Sequence, residues 1–138
     1  MFQRILVPVD LTDRHGPTLD LAARLVGSGG EVIVLHVIEV LRGLTREEDP
    51  GFYRRLEEKG KRHVDRLVEA LRGKKVAARG QVLFGDRVGE IVGFAAQEKS
   101  DLIALASHAT DPARPWAGMG SLSYQVGHLA ACPVLLVK

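Results

Sequence analysis

Strand-length aliphatic runs alternate with helix-period segments along the chain, and this alternation restricts the fold more than any other feature. RILVPVD is almost continuous in aliphatics from Ile5 to Val9, as expected of a parallel strand buried on both faces. EVIVLHVIE, VAARGQVLFG, DLIALAS and CPVLLV read as further strands, VAARGQVLFG being the least cleanly apolar. Between the first two, Leu19, Ala22, Ala23 and Val26 recur at helical spacing, with Leu21 and Leu25 broadening the stripe. Thr12 or Asp13 is placed to cap that helix, and Pro17 suits its first turn. The glycine cluster GSGG at 27–30 follows a helix rather than a strand, so it reads as a C-cap and not as a phosphate loop.

The connector VLRGLTREEDPG is polar, longer than a tight turn and expected to be mobile. A long amphipathic helix is predicted over 52–71, with Phe52, Leu56, Val64, Leu67, Val68 and Leu71 on one side. Its charges alternate in sign, which describes a solvated face with i,i+4 pairs rather than a nucleic-acid patch. Asp86 caps a third helix with Val88, Ile91, Val92 and Ala95 inward, and Leu122, Val126, Leu129 and Ala130 mark a fourth. The alternation predicts one α/β domain over 1–138, a parallel sheet with helices on both faces and right-handed connections. Ligands of such sheets bind outside the carboxyl ends of the strands, where the strand order reverses.

Composition narrows the setting. Hydrophobic residues make up 46% and charged residues 26% of the 138, the balance of a globular domain. A net charge of +2 gives no electrostatic reason to expect nucleic acid or an anionic membrane as partner. No apolar run approaches the roughly 18 residues that span a bilayer, and the N-terminus lacks the apolar core of a signal peptide. The single cysteine, Cys132, has no internal disulfide partner, and a reducing, cytoplasmic setting is expected. It precedes Pro133 in an aliphatic run, where a buried inert thiol is expected rather than a nucleophile.

The candidate site residues lie where strands end. Asp10 closes the first strand, where a carboxylate can accept from a ribose hydroxyl, hold a metal, or cap the next helix. His36 sits among aliphatics and reads as a hydrogen-bonded core histidine, while the main chain near Val37 can read an adenine edge without any side chain. Gly120 and Ser121 open the last helix, whose free N–H groups and dipole favour an anion, and Ser121 equally suits a plain N-cap. Ser107 and His108 are adjacent, which does not make a catalytic pair, and Arg114 either balances phosphate charge or faces water. His15 and His128 read as surface residues. There is no Walker motif, no GxGxxG and no metal-ligand cluster, so neither a conventional ATPase nor a dehydrogenase is supported. No catalytic residue and no metal ligand is assigned.

Taken together, ILVPVD, VIVLHVIE, DLIALASHA, the Gly120-Ser121 pair and ACPVLLVK resemble the universal stress protein family, over essentially the whole chain. The resemblance implies a five-stranded sheet of order 3-2-1-4-5, the adenine nucleotide alpha hydrolase-like arrangement, and a homodimer. It also implies a stress-responsive regulator with little or no catalysis, and in many members ATP binding. Nucleotide-binding members carry G-x2-G-x9-G-[S/T] after the fourth strand. Here Ala106 and Ala109 stand at the first two glycines, and Gly120-Ser121 follows ten residues later rather than nine. By position, Asp10 would face the ribose, Val37 would offer its backbone to adenine and Gly120 and Ser121 would hold phosphate, with Pro8 and Val9 also among the nucleotide-binding residues.

An alanine forced to positive φ costs about 1 kcal/mol or more. With methyl groups also intruding on phosphate, about 2–3 kcal/mol would weaken binding roughly 30- to 150-fold. At ordinary φ the loss would be near zero.

The expectation is a cytoplasmic universal stress protein binding ATP or AMP, with Mg as an accessory of the phosphates, through a variant phosphate loop. It would dimerise through the C-terminal strand, whose backbone and apolar side chains an edge position would expose. An unidentified protein partner would read its state. The alternative is a homodimeric interaction module of the same family that takes no nucleotide. A slow ATP-hydrolysing enzyme, with Asp10 or His108 as base, is the third class.

Overall fold

Alternating burial along the strands builds the architecture. The computed structural model describes residues 1–107, 112–114 and 120–138. In chain order the elements are β1 Phe2–Pro8, α1 Gly16–Leu25, β2 Val26–Ile38, α2 Pro50–Gly73, β3 Ala78–Phe84, α3 Arg87–Gln97, β4 Leu102–Ala106, α4 Leu122–Leu129 and β5 Val134–Val137. The strands form one parallel sheet of order β3-β2-β1-β4-β5. Ile5, Val7, Val32, Val34 and Ala104 point to one face and meet Leu19 and Ala22 of α1 and Val64, Val68 and Leu71 of α2. Leu6, Ile33, Leu35, Ile103 and Leu105 point to the other and meet Ile91, Phe94 and Ala95 of α3 and Val126 of α4. This is the two-residue period of a strand covered on both faces. No helix among the described residues is long and apolar enough to cross a membrane.

The helix pairs divide because the chain reverses direction across the sheet. From β1 it steps outward to β2 and β3 over α1 and α2; it then returns past β1 to β4 and β5 over α3 and α4. With right-handed crossovers the two halves must cover opposite faces. The strand order therefore switches between β1 and β4, and a crevice opens at their carboxyl ends.

Several local expectations are corrected. The helix α1 ends at Leu25, with Val26 as an extended C-cap residue, so Val26 belongs to β2 and not to the helical stripe. GSGG is not the cap. It forms the irregular start of β2, where the β1 register slips between Phe2↔Val26 and Arg4↔Glu31. A Cβ at Gly30 would lie 2.7 Å from the Gln3 carbonyl oxygen, and Gly29 has φ +80°, so close approach and backbone hand explain these glycines. Neither Thr12 nor Asp13 caps α1. The N-cap residue is His15, which makes no side-chain capping bond.

The structure also extends the reading of α2 and its connector. Asp49 caps α2 by accepting from the Phe52 N–H, and Pro50 opens its first turn. The buried face adds Tyr53, Gly60 and His63 to Val64, Val68 and Leu71. The Tyr53 hydroxyl ties the connector down, donating to the Leu44 carbonyl and accepting from the Leu41 N–H at 2.9 Å. Arg46 lies 3.9 Å over the Phe84 ring. Asp86 caps α3 through the Gly89 N–H, as expected, and Ser121 caps α4 through the Tyr124 N–H. In α4 only Val126 is buried, while Leu129 turns outward.

Candidate functional site

Three strand ends meet at the switch point. Pro8, Val9 and Asp10 leave β1, Leu35, His36 and Val37 lie in the last turns of β2, and Leu105 and Ala106 close β4. With Arg14 and His15 before α1, Arg87 and Ile91 of α3 and Leu122 of α4, they line a cleft that is partly open to solvent. Its floor is aliphatic, and its polar groups stand at the rim, the usual division of a small-molecule site.

Asp10 organises one wall. Its Oδ1 accepts from the Thr12 N–H at 2.9 Å, from the Thr12 hydroxyl and from His15 Nε2 at 2.7 Å. Its Oδ2 accepts from Arg14 through Nε at 3.2 Å and Nη2 at 3.1 Å. Burial pushes this carboxyl up, but the bonds from Thr12 and His15 outweigh it and hold Asp10 well below the usual carboxylate range. It is an anion at every physiological pH. Of the roles open to it, the helix cap is not the one taken, since Asp10 closes its own turn through Thr12.

His36 is a core histidine, as expected, its Nδ1 3.0 Å from the Val9 carbonyl oxygen. The β1–β2 ladder ends at Pro8↔Leu35, with the Val9 N–H on the Leu35 carbonyl at 2.8 Å. Two residues on, the Val37 main chain points to the same side, past the last rung and towards the cleft. Ala106 lines the cleft with ordinary negative φ, because the positive-φ residues other than glycine among those described are Lys75 and Lys99. The backbone penalty considered for an alanine here does not apply.

Gly120 and Ser121 do not line the described cleft; Leu122, the first residue of α4, does. Ser121 Oγ is occupied by the Tyr124 N–H at 3.2 Å, and the Gly120 carbonyl accepts from Gln125 at 2.7 Å. A Cβ at Gly120 would meet nothing within 4 Å, so neither packing nor backbone hand demands glycine there. Ala109 and His108 lie outside the described residues. Cys132 packs partly buried against the α3–α4 face, and burial pushes its thiol up, as an inert thiol requires.

One reading is corrected: His15, taken for a surface residue, is 3% exposed and bonded to Asp10. Ile91 is inward as expected and lines the cleft, and so do Arg14 and Arg87, to which the sequence assigned no role; Arg87 pairs with Glu39 at 2.8 Å. A cation four residues after a strand-end aspartate, on an i,i+4 spacing, was the available signal for Arg14. Among the described residues no group of three or more His, Cys, Asp or Glu could hold a metal ion.

Comparison with known proteins agrees with this architecture. Universal stress protein YxiE of Bacillus subtilis (strain 168) is 26% identical over 149 residues, covering 100% of both chains. The structure of a hypothetical protein, MJ0577, superposes with a TM-score of 0.80 at 25% identity, over 100% of this chain and 96% of that one. A universal stress protein from Archaeoglobus fulgidus, solved in complex with dAMP, has a TM-score of 0.72 at 22% identity, over 99% and 98%. The model of the universal stress protein family matches residues 1–138, and the chain belongs to that family.

Proposed function

We propose that the protein binds an adenine nucleotide in the cleft at the β1–β4 switch point and acts as a regulatory binding module rather than as an enzyme. The observation that carries this reading is the cleft itself. An aliphatic floor of Leu35, Ile91 and Leu105 lies beside the outward Val37 main chain, with a permanently ionised Asp10 at its rim. An apolar floor, main-chain polar groups and a carboxylate at the rim are what a base and a ribose call for. The Archaeoglobus fulgidus protein of the same fold, crystallised with dAMP, supports the class of ligand. Ordinary backbone at Ala106 removes the φ penalty that an alanine there could have imposed on binding. Mg would arrive on the phosphates of ATP, and AMP would need none.

A protein partner in a reducing cytoplasm would read whether nucleotide is bound. The exposed Leu136 of edge strand β5 and the neighbouring Leu129 and Tyr124 of α4 favour a second copy of the chain as a constant partner.

A second reading has one observation in its favour. Arg14 already occupies Asp10 Oδ2, the oxygen a ribose would use, so the cleft satisfies itself without a ligand. Calorimetric titration of nucleotide-stripped protein with Mg-ATP and with AMP separates the two. The expected result is saturable binding of both within about tenfold of each other, because recognition rests on the adenosine half. Asp10→Ala should weaken each by about tenfold or more, the loss of a charged hydrogen bond. No heat and no thermal shift at millimolar nucleotide would leave the ligand-free interaction module as the function.

A further inference from the structure

We propose that His15 is a positioning residue for ribose recognition: its buried imidazole fixes Asp10 Oδ1 so that Oδ2 stays turned to the cleft for the sugar hydroxyls. The inference rests on the nucleotide reading above and assigns a role that reading does not contain.

The division of labour on the carboxylate is the first observation. Oδ1 is held by donors of its own turn, Thr12 and His15, and the His15 ring is buried. Among the described residues Oδ2 is held by Arg14, whose side chain is 41% exposed and itself lines the cleft. An exposed arginine pair is weak and readily exchanged, whereas a buried bond is kept. A ribose diol can therefore replace Arg14 at Oδ2 while Oδ1 remains anchored. Without the anchor the carboxylate could rotate about χ2 and offer either edge.

The chain accepts two local costs to place this ring. His15 occupies the N-cap of α1, where Ser, Thr, Asp or Asn would accept a free N–H, and it makes no capping bond. Its Nδ1 is buried with no hydrogen-bond partner among the described residues. Local rules broken together at a cleft wall point to function rather than to packing.

The tautomer follows from distance. Nε2 lies 2.7 Å from Asp10 Oδ1 and 3.0 Å from the Asp10 N–H. A bare Nε2 would set its lone pair against an ionised oxygen, so Nε2 carries the hydrogen and donates to Oδ1. The Asp10 N–H is also aimed at Nε2 in hydrogen-bond geometry, and that weaker, longer contact is the one this tautomer gives up.

The test compares ATP with 2′,3′-dideoxy-ATP on wild type, His15→Phe and His15→Gln, alongside the His15 tautomer read by two-bond proton–nitrogen NMR in unliganded wild type. Wild type should prefer ATP by about tenfold or more, as a hydrogen bond to a carboxylate provides. In His15→Phe the preference should collapse to within about twofold, and His15→Gln, which keeps an N–H donor, should restore much of it. Equal losses for both nucleotides in His15→Phe, or an undiminished preference, would overturn the proposal. So would an Nδ1–H tautomer, a result that stands even if His15→Phe does not fold. If wild type binds neither nucleotide, the nucleotide reading falls and ribose positioning falls with it. If wild type binds both and the tautomer is wrong, only the role of His15 falls.

Discussion

His63 shows what a buried histidine costs on this face of the sheet. Its Nδ1 faces the Arg66 guanidinium at 3.2 Å, and its buried Nε2 has no hydrogen-bond partner among the described residues. Burial first, and then the Arg66 charge, push it below the ordinary histidine value, with His15 and His36 adding to the effect. The groups around it are Arg66 from α2, His36 from β2, His15 from the α1 cap and the Asp10 main chain at the end of β1, which alone favours the charged ring. The sign of the pH dependence follows. Above about pH 6.5 the ring is neutral in folded and unfolded chains alike, and stability is unaffected. Below that value the unfolded chain takes up a proton that the folded one refuses, so stability falls with pH. Thermal unfolding midpoints should decline as pH drops from about 6.5 to about 5, and His63→Gln should decline less over that interval. Parallel slopes for the two proteins would place the proton elsewhere. Asp10 adds no slope in this window, because it is ionised in both states.

Helix α2 docks on the sheet through the absence of side chains as much as through their presence. A Cβ at Gly80 of β3 would lie 2.2 Å from Val64 Cγ1, and a Cβ at Gly60 of α2 would lie 2.9 Å from His36 Cδ2. Gly80→Ala must therefore displace α2, and overpacking of this kind costs about 1–3 kcal/mol. Gly93 on α3 has nothing within 4 Å of the same position. Gly93→Ala should instead stabilise by roughly 0.5–1 kcal/mol through helix propensity. Urea unfolding midpoints moving in opposite directions for the two variants would bear this out; a neutral Gly80→Ala would mean that α2 sits further from β3 than the structure has it. The same helix marks the limit of what the amino-acid pattern reveals. Val64, Val68 and Leu71 stood out because aliphatics at helical spacing face a core, whereas Gly60, His63 and Tyr53 carry no such signature and owe their burial to the surface that α2 meets. The strands were legible for the converse reason, since a strand covered on both faces must be aliphatic throughout. GSGG was misread because glycine serves a helix cap and a close backbone approach equally well, and only the neighbouring Gln3 decides between them. At the cleft, Asp10, Val37 and Ala106 were legible because topology places strand ends there. His15 was not, since its contact with Asp10 depends on the path of the turn from 10 to 15.

The sheet ends at β5, and the molecule has to do something with that edge. Strand β5 has four residues, Val134–Val137, paired on one side with β4 from Ile103↔Val134 to Ala106↔Val137. Among the described residues no strand pairs with its other side, Leu136 is 37% exposed, and Leu129 and Tyr124 of the adjoining α4 are 58% and 46% exposed. A short apolar edge beside an apolar helix flank is a surface that soluble proteins cover, and a second copy about a two-fold axis covers both at once. Leu136→Lys sets two like charges near that axis and desolvates them on pairing, which is the way natural edges prevent association. Sedimentation velocity should show wild type as a dimer at micromolar concentration and Leu136→Lys as a monomer with unchanged circular dichroism. A monomeric wild type, or a variant that stays dimeric, would exclude this edge as the interface. The edge also bears on the cleft, because the Ser107 N–H donates to the Val137 carbonyl at 2.8 Å. The residue through which β4 leaves for the loop is thus pinned to the last residue of the edge strand. If pairing of β5 with its copy steadies Val137, it steadies the start of that loop too, and reciprocity then requires nucleotide to tighten the dimer as much as dimerisation tightens nucleotide. Repeating the sedimentation with saturating ATP tests this: a lower dimer dissociation constant means coupled sites, and an unchanged one means that edge and cleft act independently.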